Sequence, residues 1–249
     1  MNNMVLLILA SGKSTRFGGY PKAFCKINGI PNVIRTSSFA KDIFSDIYLA
    51  VNCETYKTMN IELEGVQIFP IVTGNGDADS IYKCLLKMKD MHEDDYIVIC
   101  WGDAVFVDST PFNEIIKAED KLDESYIVVG CSLDENPYAW FDIKDDDICN
   151  SHFKSNGEQI NSGLHDQSIF ISKIDILFEY LDYYRRESGL NEEDLNIYNP
   201  NKKEIKLLES FTFFYKKAKH FNAKYCEITK NKVYSFNTLS ELEKIEKLV

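Results

Sequence analysis

Met4-Val-Leu-Leu-Ile-Leu-Ala10, running straight into Ser11-Gly12, is a seven-residue apolar segment rich in branched side chains and without polar alternation. A strand that keeps no polar face has both faces covered, as in the middle of a parallel sheet with helices packed above and below. Runs of the same character recur at Asp46–Asn52, Val66–Val72, Tyr96–Trp101 and Tyr126–Cys131. Between them the period changes. Ile81, Cys84, Leu85 and Met88 repeat at three- and four-residue spacing, which predicts a helix over 80–91 capped by Asp79 or Ser80. This alternation predicts an α/β fold: a mostly parallel, Rossmann-like central sheet, helices on both faces, and ligands at the carboxyl ends of the strands.

The pattern loosens after residue 137. Strands are expected at Tyr138–Ile143 and Gln167–Ser172, and helices at Ile174–Arg186 and Glu204–His220. Short strands at Ala223–Thr229 and Val233–Phe236 precede a terminal helix, Leu239–Leu248, capped by Thr238 or Ser240. The 249 residues contain no linker rich in Pro, Gly or Ser and no internal repeat, so a single domain, 1–249, with a smaller elaborated second half is predicted.

Composition excludes several classes. Apolar residues at 45% and charged residues at 27% are ordinary for a globular protein and rule out disorder and collagen-like repeats. The net charge of −11 repels a polyanion, so no nucleic-acid partner is expected, whereas a small anion sees only the local field of its pocket. Seven cysteines without a Cys-x-x-Cys pair fit a reducing compartment. The longest purely apolar run, Met4 to Ala10, falls far short of the roughly 18 residues that span a bilayer, and Met1-Asn2-Asn3 carries no basic side chain. The expectation is a cytoplasmic protein with no membrane partner. His92, His152, His165 and His220 have no partners at metal-ligand spacing, which disfavours zinc.

The chemistry is concentrated after the first strand. Ala10-Ser-Gly-Lys-Ser-Thr-Arg-Phe-Gly-Gly-Tyr-Pro-Lys22 combines three glycines with hydroxyl and cationic donors, the composition of an anion cradle, with a solvated loop as the alternative. Gly12-Lys13-Ser14 ends like a Walker A loop, but the glycine needed five residues earlier is Leu7. The dinucleotide fingerprint fails as well, because Ser14 stands where its second glycine belongs.

Leu9, Ala10, Gly12, Thr15, Arg16, Phe17, Pro21 and Lys22 match in order the pattern L-A-x-G-x-x-[ST]-R-[FM] followed by P-K, and Ile27-Asn-Gly-Ile-Pro31 continues as I-N-G-x-P. This series resembles the signature of the nucleotidyltransferase superfamily, the sugar-phosphate nucleotidylyltransferases and small-molecule cytidylyltransferases of the MobA-like kind. Three later landmarks are similar to family positions: Trp101-Gly102-Asp103 at a strand end, Asn161-Ser-Gly163, and Asn237 before the terminal helix. The resemblance implies a nucleotide-binding half, 1–135, and an acceptor-binding and C-terminal half, 136–249. It implies nucleotide contacts from Leu9, Ala10, Ser11, Gly12, Lys13, Ser14, Thr15 and Gly102, and catalytic charge from Arg16 and Lys22. Mg²⁺ would be held by Asp103 and Asn237, and an acceptor by Asn161, Gly163 and His165. Read without the family, Asp103 could cap a turn, Asn237 a helix, and Asn161 could sit in a polar loop.

Gly74-Asn-Gly-Asp-Ala-Asp-Ser80 is similar to the turn by which cytidylyltransferases of the superfamily hold their nucleotide, which adds Gly74, Asp79 and Ser80 to the site. Asp77 departs from the Arg often found there, and the Gln and Gly-Thr of uridylyl and thymidylyl members are missing. The implied reaction is Mg²⁺-dependent transfer of CMP from CTP to a phosphorylated small molecule, with release of pyrophosphate. The implied acceptors are a sugar phosphate, a polyol- or choline-type phosphate, or an amino-acid phosphate such as phosphoglutamine, of the kind used in surface (capsular) polysaccharide biosynthesis. Two other readings stay open: a nucleotide-sugar glycosyltransferase using Asp77-x-Asp79 for metal, and a non-catalytic nucleotide sensor.

Overall fold

The computed structural model describes residues 3–12, 14, 17, 19–59, 63–92, 95–217 and 222–249. Strand β1 is Met4–Ala10. Its side chains alternate between two cores: Val5 and Leu7 pack with one layer of helices, Leu6 and Ile8 with the other, and all four are at most 1% exposed. Each such burial contributes about 1.5–3 kcal/mol, and this double covering is why the segment has no polar face.

The chain continues through the small hairpin β2 (Lys26–Ile27) and β3 (Ile30–Pro31) into α1 (Asn32–Ala40), then β4 (Asp46–Asn52), α2 (Cys53–Met59), β5 (Gln67–Ile71) and α3 (Asp77–Met88). Next come β6 (Tyr96–Trp101), β7 (Ala104–Phe106), α4 (Thr110–Ile116) and β8 (Ser125–Glu135). The second half supplies β9 (Ala139–Lys144), β10 (Asp147–Phe153), β11 (Ser162–Lys173), α5 (Ile174–Glu187), α6 (Leu207–Lys217), β12 (Asn222–Glu227), β13 (Val233–Ser235) and α7 (Leu239–Ile245).

One nine-stranded sheet runs in the order β5-β4-β1-β6-β11-β8-β12-β10-β9. The first four strands are parallel, as their unbroken apolar runs require. Beyond β6 the sheet becomes mixed, because β11 enters antiparallel between β6 and β8 and the hairpin β9–β10 closes the far edge. Helices α3, α5 and α6 bury Leu85, Leu181 and Phe211 on one face, while α1 and α4 bury Val33 and Phe112 on the other. Among the described residues no helix is long and apolar enough to cross a membrane.

Three local expectations are corrected. Helix α3 begins at Asp77, with Gly76 in the N-cap position, so neither Asp79 nor Ser80 caps it. Helix α6 begins at Leu207 rather than Glu204, because Asn199 and Ile205 spend their backbone hydrogen bonds on Asn75 and Ala78 at the start of α3. Strand β10 has no counterpart in the sequence reading: its alternation is weak, with Asp147, Cys149, Asn150, Ser151 and His152 all partly exposed. At the other end, α7 carries the expected cap, with Thr238 and Glu241 bonding reciprocally in a capping box.

Candidate active site

The carboxyl ends of β1 and β6 lie side by side, in register through Leu9 and Trp101, and the chain leaving β6 turns at once. Gly102 N donates to Leu9 O at 2.9 Å. A Cβ on Gly102 would stand 3.0 Å from both Ala10 Cβ and Leu9 O, so the tight approach of the two strand ends favours glycine here. Asn32, 1% exposed at the start of α1, fastens the turn from behind by donating through Nδ2 to Gly102 O at 3.1 Å and Ala104 O at 2.8 Å. The side chain held at the apex is Asp103.

Two further elements converge on it. Strand β7 pairs antiparallel with β13, Ala104 opposite Ser235, which carries Phe236 and Asn237 back to Asp103 from more than 130 residues away in sequence. The Pro21-Lys22 step opens a 3₁₀ turn over Lys22–Phe24 that buries Ala23 and Phe24 and directs Lys22 inward. Lys22 Nζ donates to Asp103 Oδ2 at 2.7 Å, to Phe236 O at 2.9 Å and to Asn237 Oδ1 at 3.0 Å. All three hydrogens of the ammonium are thus directed by protein oxygens, an orientation fixed before any ligand arrives. Phe17 meets the Phe236 ring edge-on at 5.6 Å, joining the first loop to the same cluster.

A cleft of about 680 Å³ opens beside this cluster. Leu9, Ser11, Gly12, Ser14, Trp101 and Asp103 form one wall, at the ends of β1 and β6. A smaller recess continuous with it, about 200 Å³, shares Leu9, Gly12, Ser14 and Asp103 and adds Ala10, Gly102 and Lys22. The structure therefore brings together Leu9, Ala10, Ser11, Gly12, Ser14, Lys22, Gly102 and Asp103 of the residues expected from sequence, with Asn237 bonded to Lys22. Lys13, Thr15 and Arg16 lie outside the described residues.

The opposite wall is the glycine turn before α3, contributing Thr73, Gly74, Gly76, Asp77 and Ser80. Ser80 Oγ donates to Gly76 O at 3.0 Å, and a Cβ on Gly74 would approach Ser80 Oγ to 2.6 Å. Gly76 has φ +97°, and a Cβ there would come within 2.0 Å of Ile205 O. Gly76→Ala is accordingly expected to lower stability by about 2 kcal/mol through backbone strain alone. Denaturant unfolding checks this, and an unchanged midpoint would contradict the observed turn.

Asp79 does not face the cleft, which corrects its expected place among the nucleotide contacts. Its carboxylate is 0% exposed and bonded to Arg185 Nε at 2.5 Å, Asn75 N at 2.8 Å and Lys83 Nζ at 3.3 Å. A buried carboxylate of this kind needs its partners to offset desolvation, and it braces the glycine turn against α5. Asp77 is half-buried, accepts from Leu207 N at 2.6 Å, and has its carboxyl pushed up to about 6, burial being the main cause. The pair Asp77-x-Asp79 therefore cannot present two free carboxylates to one metal ion, which removes the feature that favoured a glycosyltransferase.

Asn161, Gly163 and His165 stand further along the sheet and do not line the cleft. Asn161 O accepts from Asn136 N at 2.8 Å, Gly163 packs against Trp140, and His165 Nδ1 bonds Ala139 O at 2.6 Å. The residues that follow come nearer. Ile169 pairs with Cys100, so Asp166 to Ser168 stand just past the end of β6, beside Trp101–Asp103. Asp166 is buried, its Oδ2 accepts from Ser168 N at 3.3 Å, and Ser168 has φ +58°. Burial raises the Asp166 carboxyl above the usual range, with His165 opposing the shift and Asp103 reinforcing it. Sequence reading missed Thr73, Gly76, Tyr198 and Glu204 on the cleft walls, and Asn32 and Asp166 behind and beside the Asp103 turn. A polar triplet, Asp166-Gln-Ser168, leading into an apolar strand was the available signal for Asp166.

A recess at the ends of parallel strands, lined by a prepositioned lysine and a turn-borne aspartate, is where an α/β protein of this kind binds its ligand. The match to known families makes that specific: the MobA-like NTP transferase domain model matches residues 6–143, and the chain belongs to that family of nucleotidyltransferases. The family implies a nucleoside triphosphate donor and a sugar-phosphate-like acceptor. Among solved structures, a Bacillus anthracis protein assigned as a glucose-1-phosphate thymidylyltransferase, in complex with a sucrose, shares the fold. The two are 16% identical with a TM-score of 0.69, and the match covers 98% of this chain and 94% of that one. No curated protein sequence matches the chain significantly.

Proposed function

We propose that the protein transfers CMP from CTP to a phosphorylated small-molecule acceptor. An acceptor phosphate oxygen attacks the α-phosphorus in line. The new O–P bond forms as the bond from the α-phosphorus to the bridging oxygen breaks, and that electron pair leaves with pyrophosphate. No enzyme-bound intermediate is needed, so the protein's contribution is positioning and charge. Lys22, its ammonium already oriented at the mouth of the phosphate recess, neutralises the charge that develops at the α-phosphate; Arg16 serves the β- and γ-phosphates together with amides of the first loop. The convergence of Lys22, Asp103 and Asn237 from three separate parts of the chain is the observation that carries this reading.

Mg²⁺ fits the same place. Asp103 Oδ2 and Asn237 Oδ1 are hard oxygen donors gathered at the Lys22 ammonium, and an arriving Mg²⁺ would take them in its place and free the ammonium for the α-phosphate. Mg²⁺ ordinarily takes one or two protein oxygens and completes its shell with water and substrate phosphate, and it would supply charge neutralisation on the triphosphate. The lean to CTP rests on the glycine turn that ends in Ser80. An acceptor such as a sugar phosphate, a polyol or choline-type phosphate or phosphoglutamine, destined for surface polysaccharide, suits a small anion-binding cleft in an otherwise acidic protein.

Calorimetric titration with CTP, UTP, dTTP, GTP and ATP, each with and without Mg²⁺, tests the donor. The expected result is Mg²⁺-dependent binding with CTP tightest, followed by pyrophosphate release on addition of one phosphorylated acceptor from a panel. A different preferred base would replace CTP as the donor. Binding without turnover across the whole panel would favour a nucleotide sensor, and no binding at all would defeat the phosphate-cradle reading of residues 10–22.

A further inference from the structure

The stretch between α5 and α6 is the part of the chain to which nucleotidyl transfer assigns no task. Residues 188–206 hold one short 3₁₀ turn, Glu192–Leu195, and otherwise run as an irregular strap. The strap is fastened to the glycine turn chiefly at Asn75, which is 0% exposed, with Ile205 O also accepting from Ala78 N at 3.3 Å. Asn75 Nδ2 donates to Asn199 O at 2.6 Å, Oδ1 accepts from Asn199 N at 3.1 Å, and the backbone carbonyl accepts from Ile205 N at 2.8 Å. Its own N–H goes to the buried Asp79 at 2.8 Å. A buried asparagine with every polar group engaged, three of the four by one segment, is a clamp: releasing the segment would leave donors and acceptors unpaired in the interior.

The clamp has a consequence for the cleft. It delivers two strap residues, Tyr198 and Glu204, to the wall that Gly74, Gly76 and Ser80 also form. Neither reaches the recess that contains Lys22. A nucleoside triphosphate has a polyanionic end and an uncharged end. Its phosphates belong with Lys22 and are repelled by Glu204, so the base belongs on the strap side.

We infer that residues 196–206 form the base-reading wall of the cleft, with Tyr198 and Glu204 contacting the nucleoside and Asn75 positioning them. A carboxylate can only accept hydrogen bonds, so Glu204 favours a base that presents an exocyclic amino group, as cytosine, adenine and guanine do, over uracil or thymine with a carbonyl there. The inference rests on the nucleotidyl-transfer reading and narrows its donor from residues that the family motifs do not include.

The test is calorimetry on the wild type, Glu204→Gln and Asn75→Ala with CTP, ATP, GTP, UTP and inorganic tripolyphosphate, the last probing the phosphate end alone. Glu204 is exposed, so its substitution leaves the fold intact. In Glu204→Gln the preferred amino-bearing nucleotide should bind about tenfold more weakly or worse, the scale of one charge-assisted hydrogen bond, and its advantage over UTP should shrink. Tripolyphosphate should bind both proteins equally. Asn75→Ala should weaken every nucleotide and spare tripolyphosphate; unaltered nucleotide affinity there overturns the clamp. An unchanged preference over UTP in Glu204→Gln, a parallel loss of tripolyphosphate, or a wild type that prefers UTP overturns the base-reading wall while leaving nucleotidyl transfer standing. A wild type that binds neither nucleotides nor tripolyphosphate overturns both.

Discussion

Lys22→Ala is expected to lower turnover by on the order of 10²-fold or more while leaving the protein folded. The magnitude is that of losing one preorganised donor aimed at charge that appears in the transition state. The ammonium is held by Asp103 Oδ2, Phe236 O and Asn237 Oδ1 within 3.0 Å. A water filling the space would carry no charge and would have to be ordered during the reaction. The loss should fall mainly on kcat rather than on KM, because charge at the α-phosphate grows as pyrophosphate departs. Lys22 is partly exposed and its bonds join a loop to a turn, so thermal unfolding should shift little. Steady-state pyrophosphate release, with an unfolding curve beside it, decides the matter. Near-normal kcat in a folded variant would remove Lys22 from the reaction.

Asp103→Ala is expected to abolish the response of turnover to Mg²⁺, with a fall of comparable size. Asp103 is the carboxylate among the oxygens gathered around Lys22 Nζ, and it stands on a turn pinned by Gly102 and Asn32. Removing it takes away the charged oxygen donor and leaves only the neutral Asn237 and Phe236 oxygens. The Mg²⁺ concentration needed for half-maximal activity should rise steeply or become unmeasurable. A variant that keeps the wild-type Mg²⁺ titration would place the metal elsewhere, with Asp166, buried nearby and sensing the Asp103 charge, the first position to try.

Much of the fold was legible because its cause is local. The unpolarised run Met4–Ala10 reads as a strand covered on both faces, and the three- and four-residue spacing of Ile81, Cys84, Leu85 and Met88 reads as a helix, although α3 buries its first turns on all sides. Side-chain chemistry narrowed the cap of α7 to Thr238 or Ser240, and the reciprocal bonds with Glu241 select Thr238. Strand β10 was not legible, because five of its seven side chains are polar or small and only partly buried, so the segment lacks the apolar alternation that marks a strand. The start of α6 was misplaced for a different reason. Residues 204–206 have the composition to continue a helix, yet Ile205 N and O are spent on Asn75 and Ala78, about 130 residues earlier.

The candidate site divides in the same manner. The glycines, Lys22 and Asp103 stand in the sequence as motifs after strand ends, since phosphate chemistry requires small residues and cations where strands stop. That Lys22, Asp103 and Asn237 share one ammonium depends on β7 pairing with β13, a contact that no local pattern encodes. Asp79 shows the limit from the other side: its position in a nucleotide-binding turn made it a ligand candidate, and only its bonds to Arg185 and Lys83 show that the carboxylate points into the core.

By itself the sequence determined the α/β class, the parallel first half and the glycine-bearing loop at the end of β1, because periodicity and glycine placement act over a few residues. Tertiary structure alone decided which polar groups are spent on one another and which remain for a ligand. Long-range pairing sets burial, and burial determines whether a carboxylate braces the fold, as Asp79 does, or stands at the cleft, as Asp103 does.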